Sequence, residues 1–63
     1  MGSGQGSVYQ DPKTGENIVV YQVGTEKWVA ESNKIDAAEK TKGRIMRKIK
    51  SLGYTKFVGY ESI

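Results

Sequence analysis

Alternating apolar and polar positions in the first half of the chain predict β-strands. Residues 8–10 and 17–23 are rich in β-branched and aromatic side chains. Between them, residues 11–15 read Asp-Pro-Lys-Thr-Gly: the proline sets φ, the aspartate can accept from the following backbone, and the glycine can take the positive φ of a bulge. A glycine at position 24 marks a second tight turn before a strand over residues 27–31. We therefore predict a three-stranded antiparallel meander.

The spacing of apolar residues changes in the second half and predicts a helix. One stripe at a spacing of about 3.6 residues contains Ile35, Ala38, Ile45, Ile49 and Leu52. Asn33 is the expected N-cap, because its side-chain oxygen can accept from the Asp36 N–H, and the Asp36 carboxylate suits the positive helix start. Gly53 is the expected left-handed residue after the helix, with Tyr54 packing back on Ile49.

A fourth strand is predicted over residues 55–60, so the expected order is βββαβ. This order places the chain in the α+β class, as a small two-layer sandwich whose antiparallel sheet of three to four strands packs on one helix. The Gly/Ser-rich residues 1–6 are interpreted as a flexible linker or the remnant of an expression tag. Residues 7–63 then form a single small domain.

Charge is distributed unevenly along the chain. The 63 residues carry a net charge of +3 at pH 7. Residues 1–33 hold two lysines against four carboxylates, a net of −2, whereas residues 34–56 hold eight Lys or Arg against two carboxylates, a net of +6. Such asymmetry indicates a polyanion or an acidic protein as the partner of the second half.

The composition argues against several function classes. The chain has no cysteine and no histidine, which removes thiolate and imidazole metal ligands and every Ser–His or Cys–His catalytic pair. We therefore expect no enzymatic activity, no metal and no cofactor. The longest apolar run, residues 18–21, is far shorter than the roughly 20 residues that span a bilayer. We expect no membrane association and a cytoplasmic location.

The outward face of the predicted helix is the main candidate site. It carries Lys40, Arg44, Arg47 and Lys50, and the surrounding positive field is strengthened by Lys42, Lys48 and Lys56. Gly43 lies among these cations, where a residue without a side chain would allow a phosphate backbone to approach closely. The alternatives are a solvated helix back and a tolerated surface glycine.

The sheet is the second candidate surface, because strand residues 17–23 are apolar on both faces and one helix covers only one face. Exposed aromatic contacts are expected at Tyr21, Trp28 and Tyr60, in a homodimer, partner or base-stacking surface; the alternative is that they complete a thin core. The leading hypothesis is a small nonenzymatic nucleic-acid-binding module. The competing hypothesis is a small protein-binding modulator or inhibitor, of the kind that phages and mobile elements encode, which docks its basic helix or open sheet face on an acidic protein.

The predicted order of three strands followed by a helix is similar to that of small DNA-binding domains of the plant AP2 type and of some integrase arm-binding domains. The resemblance lies in the order of elements and in no sequence motif, so no family is assigned. It implies DNA contact through the sheet and not through the helix.

Overall fold

A computed structural model describes residues 4–62 as one antiparallel sheet and one helix. The elements are β1 (Gln5–Gln10), β2 (Asn17–Gln22), β3 (Trp28–Glu31), β4 (Asp36–Glu39), α1 (Lys42–Ser51) and β5 (Lys56–Ser62). The strands are ordered β4-β3-β2-β1-β5, so α1 connects the two edge strands. The α+β class is confirmed, and the order of elements is ββββαβ where the sequence predicted βββαβ.

The β1–β2 hairpin is confirmed together with its turn chemistry. Asp11 Oδ1 accepts from the Lys13 N–H at 2.8 Å, and the Gly15 N–H donates to the Asp11 carbonyl at 2.8 Å. Gly15 has a φ of 79°, the positive value that the sequence predicted for this glycine. In this hairpin Val8 pairs with Val19.

β1 begins earlier than the sequence predicted. Gln5 and Gly6, which were assigned to the linker, pair with Ser62 and Glu61 of β5. The reason is that β5 returns beside β1 and supplies backbone partners to residues that have no apolar side chain of their own. The linker prediction for residues 1–3 lies outside the described residues.

A hairpin between β3 and β4 replaces the predicted helix start. The Ser32 N–H donates to the Ile35 carbonyl at 2.8 Å, and the Ser32 hydroxyl accepts from the Lys34 and Ile35 N–H groups. The prediction of Asn33 as a helix N-cap is therefore wrong, since Asn33 lies in this turn. Ala37 pairs with Ala30 and is buried, so pairing at the sheet edge outweighs the helix propensity of alanine.

The helix begins at Lys42 and ends as the sequence predicted. Thr41 is the N-cap, and its hydroxyl accepts from the Arg44 N–H at 3.2 Å. At the other end Gly53 has a φ of 111°, and the Tyr54 N–H donates to the Ile49 carbonyl at 3.0 Å. This is the hydrogen-bond pattern of a Schellman motif, so the predicted glycine position is confirmed.

The core lies between α1 and one face of the sheet. Its buried members are Ile18, Val20, Ala30, Ala37, Ile45, Ile49 and Tyr54. The predicted apolar stripe is confirmed at Ile45 and Ile49 and wrong at Leu52, which is 45% exposed, because the chain turns at Gly53 and Tyr54 packs into the core instead. The stripe is also wrong at Ala38. This residue lies on β4, its side chain is on the face opposite to that of the buried Ala37, and it is exposed.

The only helix in the described range 4–62, α1, has ten residues, and none there is long and apolar enough to cross a membrane.

Candidate functional site

The helix side of the molecule carries a group of cations that we call the cationic layer. It consists of Lys40, Lys42, Arg44, Arg47, Lys48 and Lys50, all of them exposed. Five of them belong to α1. Lys40 had been predicted on the helix, but it lies in the connection from β4 to α1. This difference follows from the late helix start at Lys42, and it leaves Lys40 close to the first helical turn.

Two members of the cationic layer are held by neighbours. The Lys48 Nζ lies 3.6 Å from Glu39 Oε2 on β4, and the Lys42 Nζ lies 5.7 Å from the centroid of the Trp28 ring. The other four members, Lys40, Arg44, Arg47 and Lys50, form no ion pair within residues 4–62. The ring of Trp28 is neutral, so among the described residues five charges of the layer have no carboxylate partner, and four of these have no side-chain partner at all. The pair with Glu39 shows which flank of α1 faces β4.

The first turn of α1 concentrates positive potential. A helix start has a partial positive charge and is usually matched by carboxylates, but this turn contains no acidic residue. Lys42 and Arg44 stand there instead. A shallow depression of about 600 Å³ opens beside it, lined by the carboxylates of Glu26 and Glu39 as well as by Lys27, Lys40 and Arg44. An anion at this end of the helix would meet the dipole and the cations, and the two carboxylates would oppose it.

Gly43 is the second residue of α1 and is exposed. The sequence placed it in the middle of a longer helix, where glycine costs about 1 kcal/mol relative to alanine; in the first turn this cost is smaller because fewer intrahelical hydrogen bonds depend on the residue. A Cβ at this position would meet nothing within 4 Å. Packing inside the protein therefore gives no reason for a glycine here.

The sheet face turned away from α1, the open face, has the opposite charge. It carries three carboxylates. Glu31 pairs with Val19 of this face, Asp36 pairs with Glu31, and Glu61 pairs with Gly6. Lys56 also lies on this face, since it pairs with Gln10. The structure thus separates Lys56 from the other predicted cations and places it on the face that carries these carboxylates.

Tyr21 lies on the open face, as the sequence predicted. Its side chain is half-buried opposite Val29, and its hydroxyl donates to Glu31 Oε1 at 3.1 Å. Partial desolvation and this hydrogen bond raise the pKa of the Tyr21 phenol. The expectation for Trp28 is wrong: it pairs with Gln22, on the same face as the buried Ala30, and packs half-buried against the core beneath Lys42.

Tyr60 is exposed, as expected, but the expectation that it lies on the open face is wrong, because it pairs with Ser7 on the helix-side face. It belongs there to a group that the sequence did not predict. Its ring centroid lies 5.3 Å from that of Phe57, which lies 5.4 Å from that of Tyr9. The sequence pattern assigned Phe57 and Tyr60 to opposite faces, because they are three residues apart. A glycine inside β5, Gly59, was the available signal for a bulge that changes this alternation.

In the described part of the chain, no three carboxylates lie close enough together to hold a metal ion. Comparison with known protein families, with curated proteins and with solved structures finds no match to this chain.

Proposed function

We propose that this protein is a small nonenzymatic nucleic-acid-binding module that contacts phosphates through the cationic layer. The observation that carries the proposal is the separation of charge between the two sides of the molecule. The layer and its neighbour Glu39 contain six cations and one carboxylate, whereas the open face contains three carboxylates and Lys56. Such a field orients a polyanion toward α1 and away from the open face.

The two arginines are the strongest members of the layer. The guanidinium groups of Arg44 and Arg47 can each donate two parallel hydrogen bonds to one phosphate, which lysine cannot do. The two side chains are three residues apart on α1 and therefore neighbours on its surface. Lys40 and Lys50 extend the positive surface beyond both ends of this pair. The four cations without a side-chain partner within residues 4–62 support about four phosphate contacts, with a log–log salt slope of about −3 to −4.

The open face is a poor surface for phosphates. Its carboxylates repel a polyanion, and Lys56 alone does not balance them. Contact with the duplex through the sheet, which the order of elements had suggested, would have to overcome this repulsion. The charge distribution therefore favours contact through the helix side.

A salt series of fluorescence anisotropy measurements on labelled oligonucleotides tests the proposal. Arg47→Ala should weaken binding and make the slope shallower by about 0.9 on a duplex, and adding Arg44→Ala should double the change. Lys56→Ala removes the same charge from the open face and is the matched control, so it should leave the slope unchanged. Equal effects of Arg47→Ala and Lys56→Ala, or no binding at low salt, would refute the proposal.

A second candidate is an acidic protein that docks on the same layer. It is favoured by the modest net charge of +3 and by the net acidic first half of the chain. The acidic open face leaves only the helix side for such a partner. A pull-down from nuclease-treated and untreated lysate separates the two candidates: recovery of one defined protein regardless of nuclease, and its loss with Arg44→Ala and Arg47→Ala, would favour the protein partner.

A further inference from the structure

Three aromatic rings form a continuous row on the helix-side face of the sheet. We call Tyr9, Phe57 and Tyr60 the aromatic strip. Consecutive rings meet edge to face, with centroids 5.4 Å and 5.3 Å apart and interplanar angles of 61° and 70°. Phe57 is 48% and Tyr60 is 68% exposed. Contiguous exposed apolar rings are a common feature of interaction surfaces.

A β-bulge in β5 places these rings on one face. Val8 pairs with Gly59 and Tyr9 pairs with Phe57, so Val58 is the extra residue between the two pairs. Because of this extra residue, Phe57 and Tyr60 point to the same side, the side on which Tyr9 packs against the core. Bulges re-aim side chains in this way, often at functional sites.

The helix leaves the aromatic strip uncovered. α1 packs chiefly on β3 and β4, at one end of the sheet, whereas the strip lies on β1 and β5 at the other end. The ion pair between Lys48 and Glu39 fixes one flank of α1 toward β4. At about 100° per residue, Met46 and Lys50 then lie on the flank turned toward β1 and β5, and Arg47 lies at the outer crest.

We propose that the aromatic strip and the adjoining cations bind single-stranded nucleic acid. Phosphates contact Lys50, on the flank of α1 turned toward the strip, and then Arg47 at the crest, which also borders a depression shared with Glu39 and Lys48. Unpaired bases stack on Phe57 and Tyr60. This inference rests on the proposed function and narrows its ligand from nucleic acid in general to single strands. Unpaired bases offer faces that aromatic side chains can stack on, whereas a duplex buries those faces between neighbouring base pairs.

Charge complementarity selects this ligand over an apolar protein segment. An apolar segment would gain from the rings but would leave the neighbouring cations of α1 without anions, while a single strand supplies bases and phosphates side by side. Because neighbouring rings of the strip meet edge to face, their faces lie in different planes. The bases of a single strand can turn independently of one another and can therefore stack on rings in different planes.

Binding of labelled oligothymidylate and oligouridylate of about 12 nucleotides, compared with a DNA hairpin duplex, tests the inference. We expect the Kd of the single strands to be lower than that of the duplex by about 10-fold or more at equal salt. Phe57→Leu and Tyr60→Leu should each weaken single-strand binding by about 5-fold or more, with little effect on the duplex. Tyr21→Leu, on the open face, is the matched control and should change neither affinity.

The outcomes separate the two proposals. If the duplex binds as tightly as the single strands, and the leucine variants leave binding unchanged while Arg47→Ala weakens it, the single-strand inference fails and the proposed function stands. If no oligonucleotide binds, both fail. If the strip instead joins two copies of the chain, sedimentation will show a dimer that Tyr60→Leu dissociates and oligonucleotides leave intact, which also overturns the inference. The fluorescence of Trp28 reports whether each variant is folded.

Discussion

Gly53 ends α1, and its replacement by alanine measures how strongly that end depends on glycine. Its φ of 111° lies in the left-handed region that L side chains rarely adopt. A Cβ built there would lie 2.7 Å from Asp11 Oδ2 and 3.2 Å from Asp11 Cγ. Gly53→Ala therefore forces two changes: a strained backbone at position 53 and a displaced carboxylate in the β1–β2 turn.

The magnitude follows from these two changes. A nonglycine residue at positive φ costs about 1–2 kcal/mol. The Asp11 carboxylate is held because its Oδ1 accepts from the Lys13 N–H at 2.8 Å, and losing such a hydrogen bond costs about 0.5–1.5 kcal/mol. Gly53→Ala should therefore lower the free energy of unfolding by about 2–3 kcal/mol. For a domain of this size the Tm should fall by about 10–20 °C.

Urea and thermal denaturation, followed by circular dichroism, measure the loss. Gly43→Ala is the matched control, because position 43 has no positive φ and its new Cβ would meet nothing within 4 Å. This control should raise the free energy of unfolding by a few tenths to about 1 kcal/mol, from helix propensity alone. The two glycine-to-alanine changes thus have opposite predicted signs.

A double-mutant cycle separates the two causes. In an Asp11→Ala background the carboxylate is gone, so only the backbone strain remains, and Gly53→Ala should then cost about 1–2 kcal/mol. An unchanged stability of Gly53→Ala would refute the strain argument. An equal loss in both backgrounds would refute the contact with Asp11.

Three further predictions concern the helix start, the open face and the cationic layer. Thr41→Ala removes the N-cap acceptor and should cost about 1 kcal/mol of unfolding free energy, whereas Asn33→Ala should cost less than about 0.5 kcal/mol; the reverse order in urea denaturation would contradict the observed helix start. The raised pKa of Tyr21 means that its neutral phenol favours the fold, so this stabilisation is present below pH 10.0, the usual pKa, and is lost as pH rises through the folded-state value. A spectrophotometric titration compared with Tyr21→Phe should show the high midpoint, and Glu31→Gln should lower it. Glu39→Gln breaks an exposed ion pair and should barely change the Tm, yet it should tighten oligonucleotide binding and steepen its salt dependence.

Local chemistry accounts for the elements that the sequence predicted correctly. The β1–β2 turn was predictable because its aspartate, proline and glycine each have a specific conformational role within five residues. The end of α1 was predictable for the same reason, since Gly53 and Tyr54 form a motif whose hydrogen bonds stay within the last helical turn. Both features depend on neighbours in the chain and not on the rest of the fold.

The missed features depend on partners distant in sequence. Ala37 and Ala38 favour a helix locally, and only the pairing of β4 with β3 reveals that one is buried and the other exposed. The aromatic strip was missed in the same way, because the bulge opposite Val8 exists only once β5 pairs with β1. Gly59 was visible in the sequence, but a strand glycine indicates a bulge without giving its partner. The sequence therefore predicted the cations of α1 that belong to the candidate site, and it did not predict the aromatic strip.

The cationic layer has opposite effects on the stability of the free protein and on the stability of a complex with a polyanion. Within α1, three pairs of cations are three or four residues apart, and each such pair costs roughly a few tenths of a kcal/mol: Arg44 with Arg47, Arg44 with Lys48, and Arg47 with Lys50. Salt screens this repulsion and stabilises the free protein, while the same salt weakens phosphate contacts through counterions. A bound polyanion replaces the repulsion with attraction and stabilises the folded state by mass action. If an anion covers the layer, as proposed, a layer that destabilises the isolated domain becomes stabilising. Added salt should then stabilise the free protein and weaken its complex, whereas a solvated helix back would show only the first effect.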